Sequence, residues 1–293
     1  MPELPEVEVT RQRIEGLFVG RQVKRVHTTE PSYFFITPPK ELARRLTGRT
    51  PTALIRHGKY LLLELDDDSR LLLHLGMTGQ LFGEGAESVR LLSKSARGQW
   101  NDPLTARSIR ADKHLHLVLE FEDGGPQVLF RDTRKFGKVL WLAAGETDAR
   151  LTRLGVDALE AEPRSIQAKV RQRRAPIKAT LLDQGVLAGV GNIYADEALF
   201  LARIRPTRDT SRLTASDWER LIQAVKWVLR RSIETGGSSI SDYVLPDGSD
   251  GAYQDERRVY ARTGLPCLEC GALIQRIQVG QRSTHFCAVC QRR

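Results

Sequence analysis

Residues 267–290 read CLECGALIQRIQVGQRSTHFCAVC. Two Cys-x2-Cys pairs, Cys267/Cys270 and Cys287/Cys290, stand 16 residues apart, and they hold the only cysteines of the 293-residue chain. Two close thiol pairs flanking a hairpin-length segment can take the corners of a tetrahedron, as a structural zinc requires. Two disulfides would need an oxidising compartment, and the opening MPELPE shows neither the basic start nor the apolar core of a secretory leader. Redox Cys-x-x-Cys pairs usually come singly, beside a βαβ unit. With four ligands the site is closed, so one structural Zn2+ is expected. Between the pairs, residues 274–279 mix β-branched and polar side chains, and Gly280 follows as a turn signal. A β-hairpin presenting Arg282 near its tip is expected.

Upstream, the texture changes twice. Leu4, Val7, Ile14 and Leu17 have helical spacing over residues 3–17, with Gly20 as the stop. From about 21 to 145, short apolar runs recur at 22–26, 60–65, 71–75, 116–121, 128–130 and 138–142. Turn signals such as Asp66-Asp67-Asp68 and Asp123-Gly124-Gly125 separate them. This predicts an antiparallel β-sandwich or barrel. Residues 83–112, rich in Ser, Arg and Gly, read as an excursion from the sheet. After about 150 the pattern is helical. Segments 175–183 and 195–201 flank the glycine-rich 185–192. Ser216-Asp217-Trp218-Glu219 reads as a capping box opening a helix with Trp218, Leu221, Ile222, Val225 and Leu229 on one face.

Lys+Arg total 45 and Asp+Glu 36, a formal charge of +9. With 41% hydrophobic and 28% charged residues, the chain classes as globular rather than disordered or fibrous. No apolar run reaches the ~18 residues of a membrane span. A basic chain of this kind points to a polyanion partner, most often nucleic acid.

Several residues suit chemistry on such a partner. Pro2 becomes a secondary amine once the initiator Met is removed. An α-amino group titrates near ~8, so part of it is unprotonated at neutral pH. Such an amine can attack an aldehyde-like carbon and form an iminium. Met-Pro starts also occur without meaning. Glu3 beside it can serve as acid or base, and Glu6 shares its helical face; both also fit as favourable charge at a helix N-terminus. Lys59 reads either as a solvated strand flank or as a phosphate ligand. Asn192 follows Gly189-Val190-Gly191, where backbone N–H groups can meet an anion or the glycines can simply allow close helix packing. In Arg131-Asp132-Thr133-Arg134-Lys135-Phe136-Gly137, Arg134 can read a base edge and Phe136 can wedge into a base stack, or Phe136 can lie in the core. Met77 would ordinarily lie in the core, but between two glycines it is a second wedge candidate.

Taken in order, MPELPEVE, HGKYLLLEL, HLGMTG, RDTRKFG, DQGVLAGVGNIYADEALF and the cysteine pattern resemble the formamidopyrimidine-DNA glycosylase family, with its related Nei branch, across nearly the whole chain. The resemblance implies an α+β multidomain fold. An N-terminal antiparallel β-sandwich with a leading helix would span 1–150, a helix–two-turns–helix domain 151–260 and a zinc finger 261–293. It implies a bifunctional DNA glycosylase and AP lyase of base excision repair, acting on double-stranded DNA with oxidised bases or abasic sites. Pro2 would be the nucleophile and Glu3 the acid. Lys59 would assist β-elimination, and Arg282 would serve δ-elimination and phosphate binding. Asn192, His114 and Arg174 would contact DNA. Met77, Arg134 and Phe136 would fill the gap left by a flipped base, and Glu6 would support the site.

Within that family, residues 236–254 resemble the base-capping loop of the branch that prefers 8-oxoguanine and formamidopyrimidines. An enzyme for oxidised pyrimidines and a non-catalytic zinc protein binding nucleic acid are the alternatives. Residues 83–112 are longer than the usual connection, and Lys135 stands where arginine is common. A monomer is expected, cytoplasmic and associated with a bacterial-type nucleoid.

Overall fold

The computed structural model describes residues 2–86, 112–239 and 243–292. The core of the long 83–112 segment, and part of the 236–254 loop, lie outside them. By contacts the chain divides into two compact units, Met1–Asp148 with Gly236–Ala252, and Ala149–Thr235 with Tyr253–Arg293.

The first unit opens with α1 (Leu4–Phe18). Pro5 in its first turn needs no N–H partner and its ring presets the helical φ. The helix ends at Val19, and Gly20 follows with φ 78°. Next come β1 (Val23–Thr28), α2 (Pro39–Leu46), β2 (Pro51–His57), β3 (Tyr60–Leu65), β4 (Arg70–His74) and β5 (Gly79–Gly83). Strands β6 (Leu115–Phe121), β7 (Val128–Asp132) and β8 (Lys138–Leu142) complete the set. Two four-stranded sheets result, ordered β1-β6-β7-β5 and β2-β3-β4-β8, antiparallel throughout. The sandwich reading is therefore met.

Period-two alternation explains why the sheets face each other. Leu61, Leu63 and Leu65 of β3, with Leu71 and Leu73 of β4, enter one core with Leu117, Leu119 and Phe121 of β6. Val7, Ile14 and Phe18, seven and four residues apart on α1, complete it. Phe34 sits inside, edge-on to Phe35 and Phe130 at 4.9 Å.

In the second unit, α3 (Ala149–Thr152), β9 (Val156–Asp157), α4 (Pro163–Val170), α5 (Ile177–Leu182) and β10 (Leu187–Ala188) precede α6 (Asn192–Leu201). Then follow the 20-residue α7 (Ala215–Glu234), α8 (Tyr253–Glu256), β11 (Gln275–Val279) and β12 (Arg282–Phe286). The last two strands form the expected hairpin, with Val279 opposite Arg282.

The cap of α7 lies two residues before its expected place. Thr214 Oγ1 accepts the Asp217 N–H at 3.1 Å, and Asp217 Oδ2 accepts the Thr214 N–H at 2.9 Å. Both Thr214/Asp217 and Ser216/Glu219 fit the box spacing. The earlier frame puts Leu213 and Trp218 where a hydrophobic staple takes its two apolar residues, and both are buried. Among the described residues, no helix is long and apolar enough to cross a membrane.

Candidate functional site

Pro2, Glu3 and Glu6 gather at the start of α1, and all three are buried. Glu3 is the N-cap. Its N–H donates to Glu6 Oε2 at 2.8 Å, the carboxylate half of a capping box. The other oxygen, Oε1, accepts the Ser238 N–H at 2.9 Å. The Glu6 carbonyl accepts the Tyr243 hydroxyl at 3.1 Å. One acidic residue therefore joins the start of α1 to the loop at 236–252. Burial and the neighbouring Glu6 charge push the Tyr243 hydroxyl far above its ordinary value, so it stays a neutral donor.

Lys59 lies in the two-residue turn between β2 and β3, whose last pair is His57 with Tyr60. The lysine is buried. Arg56 anchors this turn to α1: its Nε donates to Glu8 Oε2 at 2.8 Å, and its Nη1 to the Gly58 carbonyl at 3.1 Å. Glu8 also accepts from Arg11 Nε at 3.1 Å and Nη2 at 2.9 Å. Burial raises the Glu8 carboxyl, but hydrogen bonds and charge from Arg11 and Arg56 outweigh it and hold it below its usual value. The turn bearing Lys59 is thus pinned to the first half of α1.

Of the two accounts open for Met77 and Phe136, the structure favours the outward one. Met77 is 39% and Phe136 42% exposed, large apolar side chains standing in solvent. Arg134 is also exposed, and its guanidinium carbon sits 4.6 Å from the Phe136 ring centre. The two loops touch: a Cβ at Gly76, which has φ +63°, would lie 2.5 Å from the Gly137 nitrogen. Only glycine allows that approach. His114 is half-buried beside them, in the turn before β6. Burial lowers its pKa, with Asp112 opposing.

In the second unit, Arg282 opens β12 and is exposed, as is Arg174 before α5. Asn192 is the first residue of α6, and its Oδ1 is buried with no hydrogen-bond partner among the described residues. Under the Arg282 hairpin lies a network that sequence reasoning missed. Lys178 Nζ stands 2.7 Å from Asp196 Oδ1, both side chains fully buried, and donates to the Ser283 carbonyl at 2.8 Å. Asp196 Oδ2 accepts the His285 N–H at 2.8 Å and faces His285 Nδ1 at 3.1 Å. Glu197, next along α6, accepts the Arg258, Val259 and Tyr260 N–H groups at 2.8–3.0 Å.

The four cysteine sulfurs lie within 4.8 Å of one another. Cys267 and Cys290 are 3.9 Å apart, Cys270 and Cys287 3.5 Å. A tetrahedron with Zn–S bonds of about 2.3 Å has edges of about 3.8 Å, so the residues fit one zinc ion. The Cys290 N–H approaches Cys287 Sγ at 3.4 Å, and Gln291 Oε1 accepts the Cys287 N–H at 2.8 Å. The ion's part is to hold the strands of this small module together; no chemistry is routed through it.

Residues 1–139 match the model of the formamidopyrimidine-DNA glycosylase N-terminal domain, 154–244 that of its H2TH domain, and 264–293 that of the zinc finger found in FPG and IleRS. The formamidopyrimidine-DNA glycosylase of Thioalkalivibrio sulfidiphilus is 40% identical, with all of each chain covered. A Lactococcus lactis FPG mutant, solved in complex with a Fapy-dG containing DNA, superimposes with TM-score 0.83 at 35% identity over 100% of both chains. The Lactococcus lactis Fpg with an abasic site containing DNA gives 0.82 at 34%, covering 99% of this chain and 100% of that one.

Proposed function

This chain belongs to the formamidopyrimidine-DNA glycosylase family, and from that premise we propose that it is a bifunctional DNA glycosylase and AP lyase. Its substrate is duplex DNA carrying 8-oxoguanine, formamidopyrimidines or abasic sites. The observation that carries the reading is the junction at Glu6. One carboxylate holds the Glu3 amide beside Pro2 and the Ser238 amide of the 236–252 loop. A nucleophile at C1′ and a loop over the flipped base need such a common anchor.

Each step follows from a named group. The target C1′ lies inside a duplex, so the nucleotide is extruded, and Met77, Arg134 and Phe136 fill the vacancy. The free Pro2 amine attacks C1′ while Glu3 protonates the sugar, and the base departs. The resulting iminium acidifies the C2′ proton. Its loss expels the 3′ phosphate, and a second elimination expels the 5′ phosphate. Lys59 and Arg282 stabilise the departing phosphates. Asn192, His114 and Arg174 grip the backbone. No metal is needed for the chemistry. The protein works as a monomer, in the bacterial cytoplasm where the chromosome lies.

Borohydride trapping tests this directly. Untagged protein is incubated with duplexes carrying 8-oxoguanine or an oxidised pyrimidine. A covalent adduct on 8-oxoguanine, lost when an N-terminal extension blocks Pro2, is expected. No adduct on any lesion overturns the enzyme reading, and an adduct on the pyrimidine lesion alone moves the protein to the Nei branch.

A further inference from the structure

Asp132 ends β7 and is fully buried, yet everything its carboxylate holds leads to an exposed side chain. Oδ1 accepts the Thr78 hydroxyl at 2.5 Å and the Arg134 N–H at 3.1 Å. Oδ2 accepts the Gly137 N–H at 2.7 Å. Thr78 follows Met77, and Gly137 follows Phe136. Each of the three outward side chains is therefore at, or one residue from, a group bonded to this one carboxylate. Thr78 Oγ1 closes the arrangement by accepting the Arg134 N–H at 3.2 Å.

Asp132 is itself immobilised. Its N–H donates to the His114 carbonyl at 2.8 Å, and its carbonyl meets His116 Nε2 at 2.9 Å. Burial lowers the His116 pKa, so the ring is neutral at neutral pH and Nε2 carries the proton that the carbonyl accepts. A second tie, from the Tyr33 hydroxyl to the Arg134 carbonyl at 2.7 Å, holds the same loop from outside.

We propose that Asp132 is the positioning residue that fixes Met77, Arg134 and Phe136 as one rigid wedge, and that it acts only when there is a base stack to enter. The proposal rests on the wedge reading above. An ionised carboxylate is suited to the task because it accepts only, at two oxygens with about four lone-pair directions. An amide keeps one acceptor oxygen and turns two N–H donors towards groups that are themselves donors. A wedge must enter a stack with its geometry already set, because ordering it at the moment of insertion would oppose flipping.

The test uses one abasic oligonucleotide, single-stranded and annealed to its complement. The chemistry is the same in both; only the duplex has a gap to fill. Asp132→Asn is expected to slow duplex cleavage roughly 10- to 100-fold while leaving single-strand cleavage within about twofold. In an Asp132→Asn/Phe136→Ala double variant, the loss is expected to match that of Phe136→Ala alone. Thr78→Val removes a donor to the same carboxylate without touching it, and is expected to show the same selective loss should Asp132→Asn fail to fold. Equal loss on both substrates, unimpaired duplex cleavage, or additive losses would overturn the proposal. Wild-type protein that cuts neither substrate sinks the lyase reading, and this inference with it.

Discussion

Glu6 and Ser238, 232 residues apart in sequence, are joined by a 2.9 Å hydrogen bond from the Ser238 N–H to Glu6 Oε1. The other oxygen of the same carboxylate holds the Glu3 N–H. Neither donor has water to fall back on, since Glu3, Glu6 and Ser238 are all buried.

Glu6→Gln keeps the shape of the side chain but leaves one acceptor for two donors. One buried N–H then faces an amide N–H, at a cost of about 1–3 kcal/mol. Urea unfolding should show that loss. Single-turnover excision should fall further than stability alone explains, because both the segment carrying the proposed Pro2 nucleophile and the loop lose their reference point. Unchanged excision with the full stability loss would confine Glu6 to a structural role.

Gly237 makes a sharper probe of the same junction. It has φ +82°, and a Cβ there would lie 3.2 Å from Glu6 Oε1 and 3.3 Å from Tyr243 Cε1. Gly237→Ala combines a left-handed backbone cost of about 1–2 kcal/mol with crowding against the carboxylate. Excision of 8-oxoguanine should drop more than cleavage at a preformed abasic site, where no base needs a cover. Equal losses on the two substrates would remove the loop from base handling.

The Glu8–Arg56 pair gives the first unit a defined acid response. Arg11 and Arg56 hold the Glu8 carboxyl below its unfolded value despite burial. A depressed carboxyl contributes stability above the unfolded value, about 4.3, and loses it as pH falls through the folded one. Glu8→Gln should therefore lower the denaturation midpoint at pH 7, and the gap should narrow progressively as pH falls below the unfolded value. A gap between wild type and variant that does not narrow with acidification would contradict the assignment.

These residues show where sequence reading stops. The four cysteines were legible because a metal imposes spacing on its ligands. The strands were legible because short apolar runs such as 60–65 and 71–75 stand between turn residues. Pro2, Glu3, Lys59, Asn192 and Arg282 came from ordered motifs, and Met77 and Phe136 from apolar side chains beside turn glycines. Glu8, Arg56, Asp196 and His285 carried no such signal, since each acts through a partner on another element. Asp132 stood inside a quoted motif, yet nothing in RDTRKFG says which side chain turns inward. The α7 cap was misplaced because two overlapping frames satisfy the same local rule, and tertiary burial of Leu213 and Trp218 decides between them.

Zinc content follows from the sulfur geometry. Metal analysis should give about one ion per chain. Chelation should lower the melting temperature, since a module this small has little apolar core beyond the cluster of Phe200, Val259 and Ile274 around Cys267 and Cys287. A metal-free chain that melts like the untreated one would refute a structural ion.

The Lys178–Asp196 pair gives the last prediction. Both side chains are fully buried, so removing one leaves an uncompensated charge, which typically costs about 3–5 kcal/mol. Lys178→Met is of similar length and should show that cost. It also deletes the donor to the Ser283 carbonyl, one residue from Arg282, and frees Asp196 to pull on His285 alone. The zinc ligands make none of these bonds, so metal content should stay at about one ion per chain. What should change is the product. With Arg282 no longer held in register, cleavage should stop more often after β-elimination, raising the ratio of β- to β,δ-product on an abasic duplex. A lower rate with an unchanged product ratio would mean that the buried pair stabilises the helices and leaves the hairpin alone.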